Sequence, residues 1–218
     1  MVQLNEAAPD LIVGEWAQGA PSNISQEAGN VILIEVFQVN CPGCFIGGLP
    51  EAIEVYEAFK NSPLTVWGLA TAFEDYDKNS LSNLKLLLES GQVVGETLAE
   101  LGRRNLLDYD RLGYSLPFPV AMDSVVRESP SLDEASVNEI IYRDIPQFDE
   151  MTSALKNNVR QQVKEYLSKK THSAKTFEMY KLRGTPSSIL IDKKGRLREC
   201  LFGSSLGLKE MVEALLNE

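Results

Sequence analysis

The chain of 218 residues is 44% hydrophobic and 24% charged, a composition that excludes collagen-like, low-complexity and mostly disordered proteins. It carries 21 Lys and Arg against 31 Asp and Glu, a net charge of −10, so it lacks the basic surface that nucleic-acid binding requires and we expect no nucleic-acid partner. The length favours one domain with additions over two equal domains.

The N-terminal residues 1–6 contain no basic segment followed by an apolar stretch, so no secretory signal is visible. No apolar run approaches the roughly 20 residues that span a bilayer, and we expect no membrane span. The sequence therefore favours a cytoplasmic location, with a periplasmic one as the alternative if it is the mature form of an exported protein.

The first strong element is Val31–Phe37, which is apolar on both alternating faces and typical of a central strand that is covered on both sides. The C-P-G-C motif of residues 41–44 follows it. Apolar residues at helical spacing then predict a helix through Lys60, and Leu64–Ala70 predicts a second buried strand. This order implies a parallel crossover, with the cysteines where the first strand becomes the helix.

The segment from Ser80 to Gly102 is predicted to be mostly helical and to be broken by Gly91 and Gly95. It belongs to a helical expansion of about residues 80–116. A short strand is expected at 119–122.

An insertion of about residues 124–175 follows, which is polar at first. One long amphipathic helix is predicted there from apolar residues that recur every four positions, namely Met151, Leu155, Val159, Val163 and Leu167. The insertion can pack as decoration on the sheet, or part of it can form a lid or a dimer surface.

The chain ends with a predicted β-hairpin, formed by strands at 188–192 and 196–202 around a Lys194-Gly195 turn, and a helix from Leu206 to Leu216. The expectation is thus an α/β domain over residues 1–218. Its core comprises about 8–70, 117–123 and 176–217.

The cysteine pair carries most of the chemical information. At a helix N-terminus, free backbone N–H groups and the helix dipole favour an anion, so we expect the pKa of Cys41 to lie below the free value of about 8.5. Cys44, one helical turn away, can attack the same sulfur and resolve a mixed disulfide. The spacing therefore supplies a nucleophile and a resolving thiol.

Half of a zinc site is the alternative interpretation of this pair. Zinc usually takes four Cys or His ligands, and the chain offers only Cys41, Cys44, Cys200 and His172. We therefore predict no metal site. Cys200 in the last strand is interpreted as a small buried hydrophobe, and His172 as a solvated residue near a helix end.

These motifs resemble the thioredoxin-like superfamily, and most of all its redoxin (AhpC/TSA) and TlpA-like branch of thiol–disulfide oxidoreductases. The resemblance is carried by Ala8–Leu11, by the strand that leads into C-P-G-C, and by Gly184–Gly195. It implies a thioredoxin-like fold with a central mixed β-sheet flanked by helices. The large helical insertion before the strand that follows the expected cis-proline departs from the family pattern.

The resemblance also implies roles for individual residues. Pro186 is expected to be the cis-proline beside the active disulfide, and Thr185 to expose its backbone for strand-like pairing with a substrate. Pro42 and Gly43 would face the substrate. No cofactor other than the redox-active Cys41–Cys44 disulfide is implied.

Glu35 lies six residues before Cys41 inside the apolar strand, where thioredoxins carry a buried acid that exchanges protons with the second cysteine. A carboxylate in a buried strand is unfavourable without a task or a partner. Glu35 is therefore expected to be the general base for Cys44, with a salt-bridged structural residue as the alternative.

The chain departs from the thioredoxin pattern around the motif. Asn40 stands where Trp usually precedes the first cysteine. The proline that kinks the active-site helix comes one residue later than usual, at Pro50, which predicts a bulge or looser turn behind Cys44.

The predicted function is thiol–disulfide exchange that reduces disulfides of protein substrates or small thiols, with electrons from an upstream donor such as a thioredoxin system. The first alternative is a peroxiredoxin-type peroxidase, although residues 36–40 lack that family's Pro and Thr upstream of the reactive cysteine. The second is a binding or scaffold protein of the same fold whose cysteines are idle.

Overall fold

The computed structural model describes residues 2–128, 131–204 and 207–218. They form two compact units, Val125–Ala174 and the remainder of the chain. The strands are β1 (Val13–Gln18), β2 (Val31–Phe37), β3 (Leu64–Ala70), β4 (Leu107–Asp108), β5 (Arg111–Leu112), β6 (Val120–Asp123), β7 (Val125–Arg127), β8 (His172–Ala174), β9 (Ser187–Ile191) and β10 (Leu197–Phe202). The helices are α1 (Leu49–Ala58), α2 (Leu81–Ser90), α3 (Gly95–Arg103), α4 (Glu134–Asp144), α5 (Ser153–Lys169), α6 (Lys175–Met179) and α7 (Leu208–Leu216).

The larger unit is built on a six-stranded sheet in the order β1-β6-β3-β2-β9-β10. Strands β2, β3 and β6 run parallel to one another, and β1, β9 and β10 pair antiparallel with their neighbours. All residues of β2 are buried, as its continuous apolar pattern predicted. The expected mixed sheet flanked by helices is confirmed.

The helices cover the sheet in the way that the crossover predicts. Helix α1 contacts β2, β3 and α7, whereas α2 contacts β1 and α6 contacts β6. The fully buried side chains include Leu33, Ile34, Phe37, Trp67, Leu69 and Phe118. The apolar core therefore surrounds β2 and β3, and β2 leads directly into the cysteine motif.

The predicted breaks in the helical expansion are confirmed. The Ser80 hydroxyl accepts from the backbone N–H of Asn83 and caps α2, and Gly91 ends that helix with φ +73°. Gly95 has φ +57° where α3 begins. Left-handed backbone is readily adopted only by glycine, so these two residues divide the segment into two helices.

The described residues of the smaller unit form two α-helices where the four-residue spacing predicted one. Helix α4 was missed, and α5 begins only after Met151. Val137 and Ile141 of α4 pack with Phe148 and with Leu167 of α5 in a core of their own. The side chain of Leu155 is 53% exposed. A spacing of exactly four drifts around a helix of 3.6 residues per turn, so the stripe cannot all face one partner.

His172 lies near a helix end as expected, shortly after α5, but it is half-buried because it is the first residue of β8, and its Nδ1 lies 2.9 Å from the Thr171 hydroxyl. The first position of the predicted C-terminal helix, Leu206, lies outside the described residues, and the helix there runs over Leu208–Leu216. Within the described ranges, no helix has the length and apolar character to cross a bilayer.

Candidate active site

The cysteines of the C-P-G-C motif form a disulfide at the end of the turn that follows β2. The Cys44 N–H donates to the Cys41 carbonyl oxygen over 3.0 Å and lies 3.3 Å from the Cys41 Sγ. Helical backbone begins at Pro42, so Cys41 occupies the capping position of the helix. Cys41 is half-buried and Cys44 is fully buried. An external reagent can therefore approach only the first sulfur directly.

The helix behind the disulfide opens into a π-helical turn over Cys44–Gly48. The Leu49 N–H donates to the carbonyl of Cys44, five residues earlier. Pro50 then occupies the first turn of α1, where the missing N–H of proline is tolerated. The looser turn predicted from the displaced proline is thus confirmed.

Glu35 lies in the middle of β2 and is fully buried. Ser188, its cross-strand neighbour on β9, donates a hydroxyl hydrogen bond of 2.7 Å to Oε2. Among the described residues, Oε1 has no hydrogen-bond partner, and it lies against Gly48, where a Cβ atom would overlap it. Burial raises the pKa of Glu35 to about 8, so the carboxyl is predominantly protonated at neutral pH.

The Thr185–Pro186 loop lies beside the disulfide. The Cys41 Sγ lies 3.6 Å from the carbonyl oxygen of Thr185, and the Thr185–Pro186 peptide bond is cis. A Cβ atom on Gly43 would lie 3.9 Å from the Cδ of Pro186. Thr185 and Pro42 are half-buried, Gly43 is exposed and Pro186 is buried. The structure thus brings all seven candidate residues into one region.

A hydrogen-bond network around Asn40 was not foreseen from the sequence. Its backbone N–H donates to Oδ1 of Asn79, and its amide group donates to Asp75. The amide oxygen accepts the backbone N–H of Glu96 at the start of α3 over 2.7 Å. Close by, the buried Thr97 hydroxyl donates to the carbonyl of Val39 over 2.8 Å. The helical expansion therefore anchors the two residues that precede Cys41.

Tyr114, at the other end of the expansion, was also missed. Its hydroxyl donates a 2.8 Å hydrogen bond to the carbonyl oxygen of Phe45, directly after Cys44. Its only signal in the sequence was an aromatic residue with a polar tip in a loop of the expansion.

Among the described residues, no group of three or more His, Cys, Asp or Glu side chains is placed to hold a metal ion.

No protein-family model matches the sequence, and no curated protein matches it. Solved structures do resemble the chain. A protein described as a thioredoxin-like superfamily protein is 26% identical and has a TM-score of 0.59, with 97% of each chain covered. A thiol-disulfide isomerase from Corynebacterium glutamicum is also 26% identical at a TM-score of 0.59, over 98% of this chain and 97% of that chain.

The thioredoxin domain of a thiol-disulfide oxidoreductase from Bacteroides vulgatus shares the fold, with 15% identity, a TM-score of 0.51 and both chains fully covered. These structural similarities agree with the order of the strands in the sheet and with the position of the half-buried Cys41 next to the buried Cys44. The chain is a member of the thioredoxin-like superfamily and has the fold of its thiol–disulfide oxidoreductases.

Proposed function

We propose that this protein is a thiol–disulfide oxidoreductase that uses the Cys41–Cys44 couple to reduce disulfides in protein substrates. The observation that carries the proposal is the unequal exposure of the two sulfurs: Cys41 is half-buried at a helix N-terminus, and its disulfide partner Cys44 is fully buried. A nucleophile that substrates can reach and a resolving thiol that they cannot reach are what ordered exchange requires. The structural similarity to the thiol-disulfide isomerase from C. glutamicum supports this class of chemistry.

The reaction starts from the dithiol. The Cys41 thiolate attacks one sulfur of the substrate disulfide, which forms a mixed disulfide and expels the other substrate sulfur as a thiolate. The Cys44 thiolate then attacks the Cys41 sulfur, which forms the Cys41–Cys44 disulfide and expels the second substrate sulfur. Two electrons pass to the substrate, and its two thiolates take up the two protons released by the cysteines. The N–H of Cys44, 3.3 Å from the Cys41 Sγ, stabilises the attacking anion.

We propose that the ionised form of Glu35, a minority at neutral pH because burial raises the pKa, accepts the proton that Cys44 must lose. Its Oε1, for which the described part of the chain offers no hydrogen-bond partner, lies against Gly48, at the end of the turn that begins at Cys44. Its pKa near 8, raised by burial, lies close to the value of a free thiol, which suits proton exchange with a cysteine. Ser188 holds the other carboxyl oxygen and thereby orients the group.

Thr185 and Pro186 are proposed to hold the substrate backbone. The Thr185 carbonyl adjoins the Cys41 sulfur, and Pro186 has no N–H that could compete for a partner. An extended substrate segment could therefore pair with this loop as an added strand, with Pro42 and Gly43 on its other side. No cofactor other than the disulfide is needed.

We further propose that the chain belongs to the redoxin and TlpA-like branch, on the motifs Ala8–Leu11 and Gly184–Gly195. In the structure these two motifs adjoin each other, since the Ala8 N–H donates to the Gly195 carbonyl. A reducing compartment such as the cytoplasm would keep the couple as a dithiol, with electrons from a donor such as a thioredoxin system.

An equilibrium redox titration tests the proposed function. The Cys200→Ala variant is equilibrated in dithiothreitol buffers of defined potential, and free thiols are counted with a mass-tagging reagent. One two-electron transition, in which both tags are lost together, is expected for the Cys41–Cys44 couple, and its midpoint distinguishes a reductant from an oxidant. Thiols that never pair would overturn the proposal in favour of idle cysteines. Turnover of peroxide would favour the peroxidase instead.

A further inference from the structure

The carbonyl of Phe45 has an unusual position in the helix behind the disulfide. In the π-helical turn each carbonyl accepts from the N–H five residues later, as Cys44 does from Leu49. The next donor in that register would be residue 50, which is proline and has no N–H. The Phe45 side chain is buried. Its carbonyl therefore needs a donor from elsewhere in the chain.

Tyr114 supplies that donor. Its hydroxyl lies 2.8 Å from the Phe45 carbonyl oxygen and comes from a loop 69 residues away in sequence. Burial raises the pKa of Tyr114, so the hydroxyl remains a donor throughout the physiological range. The ring of Phe45 is held separately, because it packs edge-on against Phe37 of β2 with 6.3 Å between ring centres.

We propose that Tyr114 is a positioning residue of the redox couple: by donating to the carbonyl that Pro50 leaves without a partner, it holds the π-helical turn that presents Cys44 to Cys41. The inference rests on the proposed function, since it assumes that the couple is reversible. Tyr114 acts indirectly in this proposal. Its effect passes through Phe45, the residue directly after Cys44.

Loss of the Tyr114 hydrogen bond should shift the midpoint potential of the couple in a definite direction. Closing the disulfide requires the Cys44 sulfur to be held against Cys41, whereas the dithiol does not, so a looser turn lowers the effective concentration of one thiol at the other. Oxidation of the dithiol by oxidised dithiothreitol transfers two electrons, and both thiol protons pass to the reduced dithiothreitol. Loss of the hydrogen bond from Tyr114 therefore destabilises the disulfide relative to the dithiol, and the midpoint reduction potential of the couple becomes less negative.

The test compares two tyrosine variants in the Cys200→Ala background. Tyr114→Phe removes the donor and keeps the ring. We expect the equilibrium constant for disulfide formation to fall about fivefold, which is a midpoint about 20 mV less negative. Tyr180→Phe is the matched control, because the Tyr180 hydroxyl also donates to a backbone carbonyl, that of Pro9. It is expected to lower stability without changing the midpoint.

A rescue variant distinguishes positioning from general destabilisation. Pro50→Ala restores a backbone N–H at the position from which a π-helical turn would donate to Phe45. In Tyr114→Phe/Pro50→Ala we expect the midpoint to return toward that of the parent. The inference is overturned if Tyr114→Phe keeps the parental midpoint, or if the double variant is no closer to the parent than Tyr114→Phe alone.

The same titration distinguishes failure of the proposed function from failure of the proposed role of Tyr114. If the Cys200→Ala parent shows no reversible couple, then the proposed function fails and the role of Tyr114 fails with it. If the parent titrates as one two-electron couple and the tyrosine variants share its midpoint, then only the role of Tyr114 is lost. Should Tyr114→Phe not fold, comparison of Pro50→Ala with Tyr114→Phe/Pro50→Ala decides: equal midpoints are expected, and unequal ones contradict the inference.

Discussion

The carboxyl oxygen Oε1 of Glu35 lies against Gly48, so closely that a Cβ atom at position 48 would overlap it. The same Cβ atom would also come within 2.5 Å of the Pro186 side chain. Only a glycine lets the active-site helix approach both the buried acid and the proline loop. This contact joins β2, the turn that begins at Cys44, and the loop beside Cys41.

Replacement of Gly48 by alanine is therefore expected to be strongly destabilising. Overpacking of a closed site typically lowers the free energy of unfolding by about 1–3 kcal/mol, and we expect Gly48→Ala near the upper end of that range. Gly102→Ala is the control, since a Cβ atom on this exposed helical glycine meets nothing within 4 Å; it should stabilise α3 by about 0.5–1 kcal/mol. Urea unfolding measures both, and equal effects of the same sign would refute the packing argument.

The buried carboxyl of Glu35 predicts a pH dependence of stability. Its pKa is raised from 4.5 to about 8 in the folded protein. Between these values the unfolded chain loses a proton that the folded chain keeps, so the stabilisation present below pH 4.5 is lost progressively as the pH rises to 8. The steepest contribution is about 1.4 kcal/mol per pH unit.

Glu35→Gln cannot ionise, so it should lose this part of the pH dependence and gain stability relative to the parent as the pH rises. Urea unfolding of the oxidised protein between about pH 5 and 9 measures the difference. Glu57→Gln is a suitable control because Glu57 has an exposed side chain, and it should follow the parental profile. Parallel profiles for Glu35→Gln and the parent would show that Glu35 does not keep its proton in the folded state.

Asn40 and Gly95 should be energetically coupled. The Asn40 amide oxygen occupies the space of a Cβ atom on Gly95, while it accepts the N–H of Glu96. We expect Asn40→Ala to lower the free energy of unfolding by about 1 kcal/mol, as loss of a helix cap does. Gly95→Ala combines this overlap with a left-handed backbone, so it should lower the free energy of unfolding by more than Asn40→Ala does.

In the double variant Asn40→Ala/Gly95→Ala, the overlap with the Asn40 amide is relieved, whereas the backbone strain and the 2.7 Å approach to the flexible Lys78 side chain remain. A double-mutant cycle should therefore give a coupling energy of about 0.5 kcal/mol or more, with the double variant more stable than the sum of the single changes predicts. Additive effects would mean that the two residues do not compete for this space.

Cys200 is expected to react slowly with thiol reagents in the folded protein. Burial raises the pKa of its thiol to about 11, so at pH 8 its thiolate fraction is about two hundredfold below that of a free cysteine. With the Cys41–Cys44 disulfide intact, alkylation by iodoacetamide should be slower by about that factor than in the urea-unfolded chain. Equal rates in the two states would show that the thiol is neither buried nor protected.

Local sequence patterns were sufficient for the elements nearest the chemistry. The unbroken apolar run of Val31–Phe37 identified a strand buried on both faces, because such a strand has no polar side. Gly91 and Gly95 identified helix boundaries, because their backbone conformations are open chiefly to glycine. The displaced Pro50 indicated the loose turn at Cys44–Gly48, since proline removes a helical donor.

Where interactions are distant in sequence, the patterns failed. Helix α4 was not predicted, because its apolar residues can be identified as a buried face only from the core that they share with α5. The bonds from Glu96 to Asn40 and from Tyr114 to Phe45 join residues 56 and 69 positions apart.

The sequence by itself thus determined the cysteine pair, its place at a strand-to-helix junction and the acid in the buried strand, because these depend on neighbours along the chain. The tertiary structure alone decided which groups surround that couple. Gly48 against Glu35, Asn40 against Gly95 and Tyr114 at the Phe45 carbonyl all depend on how separate segments pack, and that packing has no local periodicity or composition from which it can be inferred.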